Sequence, residues 1–61
     1  MTKRYQVFDY SNRAPCEYVE ACNATAARNL YATAHALPLK DVGVELPRFK
    51  VTDEQLTKYG A

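Results

Sequence analysis

The sequence predicts an α+β fold in which one amphipathic helix covers one face of a small three-stranded sheet and a short C-terminal helix follows (β-β-α-β-α). Residues 18–22 alternate apolar and polar side chains, as a half-buried strand does. Asn23 follows and suits a helix N-cap, because its side-chain oxygen can accept a hydrogen bond from the amide of Thr25 or Ala26. The third observation is an apolar stripe at spacings of three and four: Ala27, Leu30, Tyr31, Ala34 and Leu37.

The first two strands are predicted as a hairpin over residues 3–10 and 16–22. The first strand is rich in aromatic and β-branched residues, which favour strands. Its side chains divide between two faces, with Tyr5 and Val7 on one and Phe8 and Tyr10 on the other, and we place Phe8 and Tyr10 on the side away from the helix. Residues 11–15 contain asparagine and proline and form the connecting turn. In the second strand Val19 and Ala21 should face the helix.

The helix is predicted over residues 24–36, and Pro38 ends it because the residue before a proline avoids the helical conformation. Placing residues at intervals of about 100° gives an outer face that contains small alanines and a few polar side chains. Its members are Arg28, Asn29, Ala32, His35 and Ala36. A third strand follows over residues 42–46, and it should bury Val42, Val44 and Leu46.

The C-terminal residues predict a short helix over Asp53 to Tyr59. Thr52 and Gln55 have the spacing of a capping box, and Val51 and Leu56 have that of a hydrophobic staple. Gly60 would end this helix. A helix this short is marginal alone and must either dock on the rest of the chain or fray.

Composition and charge limit the classes of function. The chain has 61 residues, eight basic and seven acidic, so we expect one domain over residues 1–61 with almost no net charge. A DNA mimic would need an acidic excess, and a nucleic-acid-binding protein usually carries a basic one. No apolar run approaches the roughly 20 residues of a membrane span, and none resembles a signal peptide, so we expect a cytoplasmic protein without a membrane partner.

The residues that could carry chemistry do not form a recognisable site. On one strand Cys16 and Cys22 would stand about 20 Å apart, too far for a disulfide bond, and they lack zinc-binding spacing. His35 has no catalytic partner placed by the sequence, and the only glycines, Gly43 and Gly60, form no phosphate-binding loop. We therefore expect no enzyme activity, no catalytic residue, no metal and no cofactor.

Two surfaces are candidates for binding a partner. One helix covers only one sheet face, so the other should present an aromatic surface rimmed by charge. We expect Phe8, Tyr10, Tyr18 and Glu20 on it, beside Cys16 and Cys22. The C-terminal helix could cover this face with Leu56 and Tyr59, or a second copy of the chain could. The outer helix face, with Arg28, Asn29 and His35, is the second candidate.

The order of elements resembles the small strand-strand-helix-strand proteins that bacteriophages encode to disable host machinery, including anti-CRISPR proteins and podovirus inhibitors of host RNA polymerase. Residues 18–21, 23–28 and 42–45 carry the resemblance. It implies a non-enzymatic protein-binding inhibitor that occupies a surface of a host complex in the cytoplasm of the host. The alternative is an accessory protein that binds nucleic acid. Its aromatic side chains would be Tyr5, Phe8 or Tyr18, and its phosphate contacts Arg4, Arg13, Arg48 or Lys50.

Overall fold

The computed structural model describes residues 2–59, so the predicted helix stop at Gly60 lies outside the described residues. It confirms the predicted α+β class. Three strands, β1, β2 and β3, and one helix, α1, appear in the predicted order. Their bounds are Lys3–Asp9 for β1, Glu17–Ala21 for β2, Ala24–Ala34 for α1 and Val42–Glu45 for β3, with 3₁₀ turns at Leu39–Asp41 and Asp53–Gln55.

The sheet has the order β2-β1-β3, and both neighbouring pairs are antiparallel. Val7 lies at the centre, opposite Glu17 on one side and Val44 on the other. Directly opposed residues project to the same face of a sheet. The register therefore places the alternate residues Tyr5, Val7 and Asp9 of β1 on the face that α1 covers.

The core lies between that face and α1. Tyr5, Val7, Val19 and Ala21 are all buried, which confirms the predicted facing of β1 and β2. Tyr31 is the largest fully buried side chain, and its hydroxyl donates to the Pro15 carbonyl oxygen at 2.5 Å. Burial raises the pKa of Tyr31, and the negative charge of Glu17 adds to this rise.

Helix α1 begins as predicted, since the Asn23 side chain accepts a hydrogen bond from the Ala26 amide at 2.8 Å. The predicted stripe is only partly correct. Leu30 is 38% exposed and Ala34 is exposed, whereas Ala32, predicted on the outer face, is buried. The helix is rotated by roughly 60° from the prediction, at 100° per residue. The small alanines allow it to approach the sheet closely, and the bulk of Leu30 is left at its flank.

The third strand confirms the burial of Val42 and the inward position of Val44, which is half-buried. The prediction for Leu46 is wrong, because the strand ends at Glu45 and Leu46 is 59% exposed. Pro47 follows and cannot donate a hydrogen bond to a sheet.

The predicted C-terminal helix is reduced to the 3₁₀ turn at Asp53–Gln55. The Gln55 side chain accepts from the Thr52 amide at 2.9 Å, as a capping box requires. Beyond the turn the chain is extended. Leu56 forms an isolated parallel bridge with Tyr18, and the Thr57 amide donates to the Tyr18 carbonyl oxygen at 2.8 Å. Pairing with the free edge of β2 therefore replaces the last helical turn.

The connection between β1 and β2 is organised by Asp9, whose side chain is fully buried. It accepts hydrogen bonds from the amides of Ser11 at 3.0 Å and Arg13 at 2.8 Å, and from Nε of Arg13 at 3.2 Å. Arg13 also pairs with Asp41 at 2.6 Å. Burial alone would raise the pKa of Asp9, but these hydrogen bonds and the Arg13 charge outweigh it, and the pKa lies below its usual value.

Candidate protein-binding surface

The sheet face opposite α1 carries the candidate surface, and we call it the open face. By register and alternation it presents the side chains of Arg4, Gln6 and Phe8 from β1, Tyr18 and Glu20 from β2, and Glu45 from β3. Gly43 of β3 also belongs to it. The four candidates Phe8, Tyr10, Tyr18 and Glu20 are thus brought to one side of the molecule, as predicted.

An aromatic pair covers Gly43 at one end of the open face. Phe8 lies directly opposite Gly43 across the β1–β3 pair, and its ring meets that of Tyr10 edge-on with centroids 5.3 Å apart. A Cβ atom on Gly43 would lie 2.4 Å from Cε2 of Phe8 and 2.9 Å from Cζ of Tyr10. The glycine therefore allows both rings to rest on the backbone of β3. Tyr10 is nevertheless 67% exposed.

At the other end, residues 46–59 return across the open face, and we call this segment the strap. Phe49 of the strap meets Tyr18 edge-on, with centroids 5.6 Å apart. Tyr18 is therefore half-buried, so the prediction of an uncovered face is only partly correct. The covering residue is Phe49. Leu56 lies at the edge of β2, and Tyr59 packs against the main core.

Arg4 holds the strap against the sheet. Its guanidinium donates to the Val51 carbonyl oxygen and to the Asp53 carboxylate, and its Nε lies 3.4 Å from the Glu20 carboxylate. Glu20, a predicted partner contact, is therefore already part of an intramolecular ion-pair group. Val51 of the strap is only 2% exposed.

The strap also adds apolar surface that the sequence interpretation missed. Leu46 is 59% exposed, and Phe49 is 51% exposed despite its contact with Tyr18. The sequence could have indicated this exposure. Phe49 lies between Arg48 and Lys50, in a segment without the apolar periodicity of a buried helix or strand. The open face therefore carries exposed side chains at both ends, Tyr10 at one and Leu46 with Phe49 at the other.

The second candidate surface, the outer face of α1, is not assembled as predicted. Arg28 and His35 are half-buried, and only Asn29 of the three candidates is exposed. Arg28 donates to the Leu39 carbonyl oxygen at 2.8 Å, which ties the helix to the following turn. The rotation of the helix that buries Ala32 also turns these two side chains towards the sheet.

His35 has a partner that sequence reasoning did not find. Its Nε2 lies 3.3 Å from Oε1 of Glu17, and its ring is 4.6 Å from that of Tyr31. Glu17 comes from β2, at the end where the helix finishes, so only the tertiary fold brings the pair together. The pair links the end of α1 to the sheet.

The cysteines are free and exposed. Within residues 2–59, no three His, Cys, Asp or Glu side chains are grouped so that they could hold a metal ion. No helix in this part of the chain has the length and apolar character needed to cross a membrane.

Comparison of the chain with protein-family models, with curated proteins and with solved structures finds no match.

Proposed function

We propose that this chain is a small non-enzymatic protein-binding module that acts in the cytoplasm and inhibits a larger complex by occupying part of its surface. One observation carries the proposal. Three large apolar side chains on the side of the open face, Tyr10, Leu46 and Phe49, are each more than half exposed: 67%, 59% and 51%. A chain of 61 residues has little surface, and exposed aromatic side chains are typical of the anchors of protein interfaces.

The composition of the surface supports a protein partner. Aromatic and aliphatic groups form its two ends, and Glu45, Arg48 and Lys50 add charges of both signs at the rim. Interfaces between proteins likewise combine exposed apolar side chains with polar, solvated groups at the rim. The order of elements, which resembles that of phage-encoded inhibitors, supports blocking by occupation as the mode of action.

The test is site-specific photo-crosslinking in cells of the native host. A photoreactive phenylalanine analogue replaces Tyr10 in one variant and Thr25, an exposed residue at the start of α1, in the control. We expect a defined protein adduct from position 10 and none from position 25. Tyr10→Ala and Phe49→Ala should each weaken the affinity of the purified partner by about thirtyfold, the effect of losing a typical interface anchor.

Thr25→Ala is the matched control and should leave the affinity unchanged. Tyr10→Ala and Phe49→Ala should each lower the free energy of unfolding by no more than about 1.5 kcal/mol, because each loses one edge-on aromatic contact and the side chains removed are more than half exposed. Equal adducts from both probe positions, or an unchanged affinity in Tyr10→Ala and Phe49→Ala, would contradict the proposal.

Single-stranded nucleic acid is the second candidate, and one observation favours it. Phe49 stands between two exposed basic residues, Arg48 and Lys50, on a sheet face that also presents Phe8 and Tyr18. Bases stack on aromatic side chains while basic ones contact phosphate. Tyr5, however, is buried against the helix, and Arg4 and Arg13 are engaged in ion pairs, so three of the residues predicted for this role are not free for it.

Fluorescence anisotropy with a labelled oligothymidine distinguishes the two candidates. Binding that weakens steeply as salt rises, and that Phe49→Ala reduces, would support nucleic acid. Absence of binding at low salt would exclude it.

A further inference from the structure

The strap is attached to the rest of the protein at few points. Within residues 2–59 its backbone pairs with the sheet only at Tyr18, through the Leu56 bridge and the Thr57 amide. Its side-chain contacts are the hydrogen bonds of Arg4 to Val51 and Asp53, the edge-on contact of Phe49 with Tyr18, and the packing of Val51 and Tyr59. Segments held by few hydrogen bonds are the first to open when a native protein fluctuates.

The main core does not depend on the strap. The buried cluster between the sheet and α1 is formed by Tyr5, Val7, Val19, Ala21, Ala27, Tyr31, Ala32 and Val42. Val51, the buried residue of the strap, is not a member of this cluster, and Tyr59 touches it only as a half-buried neighbour. Most of the apolar burial therefore stays in place when the strap leaves the sheet.

The strap also has a point at which it can turn. Strand β3 ends at Glu45, and Leu46 and Pro47 follow with no ladder hydrogen bond to break. At the far end, the 3₁₀ turn at Asp53–Gln55 is closed by its own contacts between Thr52 and Gln55, so it can move as one piece.

We infer that the strap is a reversible cover, which opens as a unit about residues 46–47 while β1, β2, β3 and α1 stay folded, and which uncovers Tyr18 when it opens. The closed form presents Tyr10, Leu46 and Phe49, and opening adds Tyr18, which lies opposite Gln6 on the same face as Phe8. The strap thereby regulates how much of the open face a partner can reach. This regulatory role rests on the proposed function, whereas the opening itself is measured on the isolated chain.

Native-state hydrogen exchange tests the opening. In the unmodified protein, the Thr57 amide should exchange at least tenfold faster than the Val7 amide of the central strand. Its exchange should also depend less on urea, because local opening exposes less surface than global unfolding. Equal rates with equal urea dependence for the two amides would overturn the inference, since the strap would then open only when the whole protein unfolds.

Variants that remove contacts of the strap test whether Arg4 keeps it closed. Arg4→Ala should accelerate exchange at Thr57 at least tenfold, the effect of losing one hydrogen bond to a charged group, and leave Val7 unchanged. Asp53→Ala should give only about a twofold increase, because the Asp53 side chain is 85% exposed and its ion pair is screened. Lys3→Ala is the control, as Lys3 is an exposed neighbour on β1. Acceleration of Thr57 and Val7 by the same factor in Arg4→Ala would contradict the inference.

Chemical nitration of tyrosine tests whether opening uncovers Tyr18. Tyr10, which is 67% exposed, serves as the internal reference, and Tyr31, which is fully buried, as the unreactive one. The rate at Tyr18 relative to Tyr10 should rise several-fold in Arg4→Ala, while Tyr31 stays unreactive. An unchanged ratio would show that the strap does not cover Tyr18, whatever the outcome of the crosslinking experiment.

Discussion

The contact between Gly43 and two aromatic rings makes Gly43→Ala an informative perturbation. The new Cβ would lie 2.4 and 2.5 Å from two atoms of the Phe8 ring and 2.9 Å from Cζ of Tyr10, well inside van der Waals contact. Both rings must therefore move. Because Tyr10 is largely exposed, it can swing into solvent, and the displacement is less severe than overpacking in a closed core.

The expected magnitude follows from three contributions. Loss of the edge-on contact between the rings destabilises by about 0.5–1.5 kcal/mol. Displacing Phe8, which is half-buried, adds about 1 kcal/mol, at the low end of overpacking costs. Replacing glycine by alanine in a strand adds about 0.5–1 kcal/mol to the free energy of unfolding, because the unfolded chain has less conformational entropy. The net prediction is a loss of about 1 kcal/mol in the free energy of unfolding.

Urea denaturation followed by circular dichroism measures this loss, and a double-mutant cycle assigns its cause. In a Phe8→Ala background the added methyl group meets only the Tyr10 ring, which is 67% exposed and can move into solvent. Gly43→Ala should therefore become neutral or stabilising, with a coupling energy of about 1–2 kcal/mol. Glu45→Ala, at an exposed position on the same strand and face, is the control and should change stability by less than about 0.5 kcal/mol. An equal loss in both backgrounds would refute the reasoning.

Two further predictions concern the packing beneath the sheet and the loop beside it. Tyr31→Phe removes the hydrogen bond to the Pro15 carbonyl oxygen and should lower the free energy of unfolding by about 1 kcal/mol in urea denaturation, while an unchanged midpoint would show that the bond contributes nothing. The pKa of Asp9 is lowered in the folded protein, so its stabilising contribution is complete above the unfolded pKa of about 3.9 and is lost as pH falls through the folded value. The stability difference between the unmodified protein and Asp9→Asn should therefore shrink on acidification below about pH 4, and a difference constant with pH would contradict this assignment.

Local patterns were sufficient to predict the three strands and helix α1 in their order. Asn23 caps the helix through its own side chain, which the residue type alone predicts. The apolar residues Val19 and Ala21 alternate with polar ones, and this alternation alone predicts that they are buried. The rotation of α1 could not be predicted in the same way, because an alanine can be exposed or pressed against a sheet. The burial of Ala32 and the exposure of Leu30 depend on how closely the helix approaches the strands.

The candidate surface was predictable only where it lies within β1 and β2. The alternation of Phe8 with Val7 places Phe8 on the open face without knowledge of the rest of the chain. The covering of Tyr18 depends instead on contacts between distant residues, such as Arg4 with Val51 and Asp53. The capping box predicted at Thr52 and Gln55 is present, but pairing of Leu56 with β2 replaces the helix predicted over Asp53 to Tyr59.

The central position of β1 has a consequence for how the chain folds. The hairpin of β1 and β2 uses neighbouring residues and can form early, but the other edge of β1 is completed only by β3, which lies beyond the helix in the sequence. Contacts between distant residues slow folding, because the intervening chain must be closed into a loop first. A newly synthesised chain therefore exposes one edge of its first strand until its last strand has been made, and during this interval that edge is open to pairing with other chains.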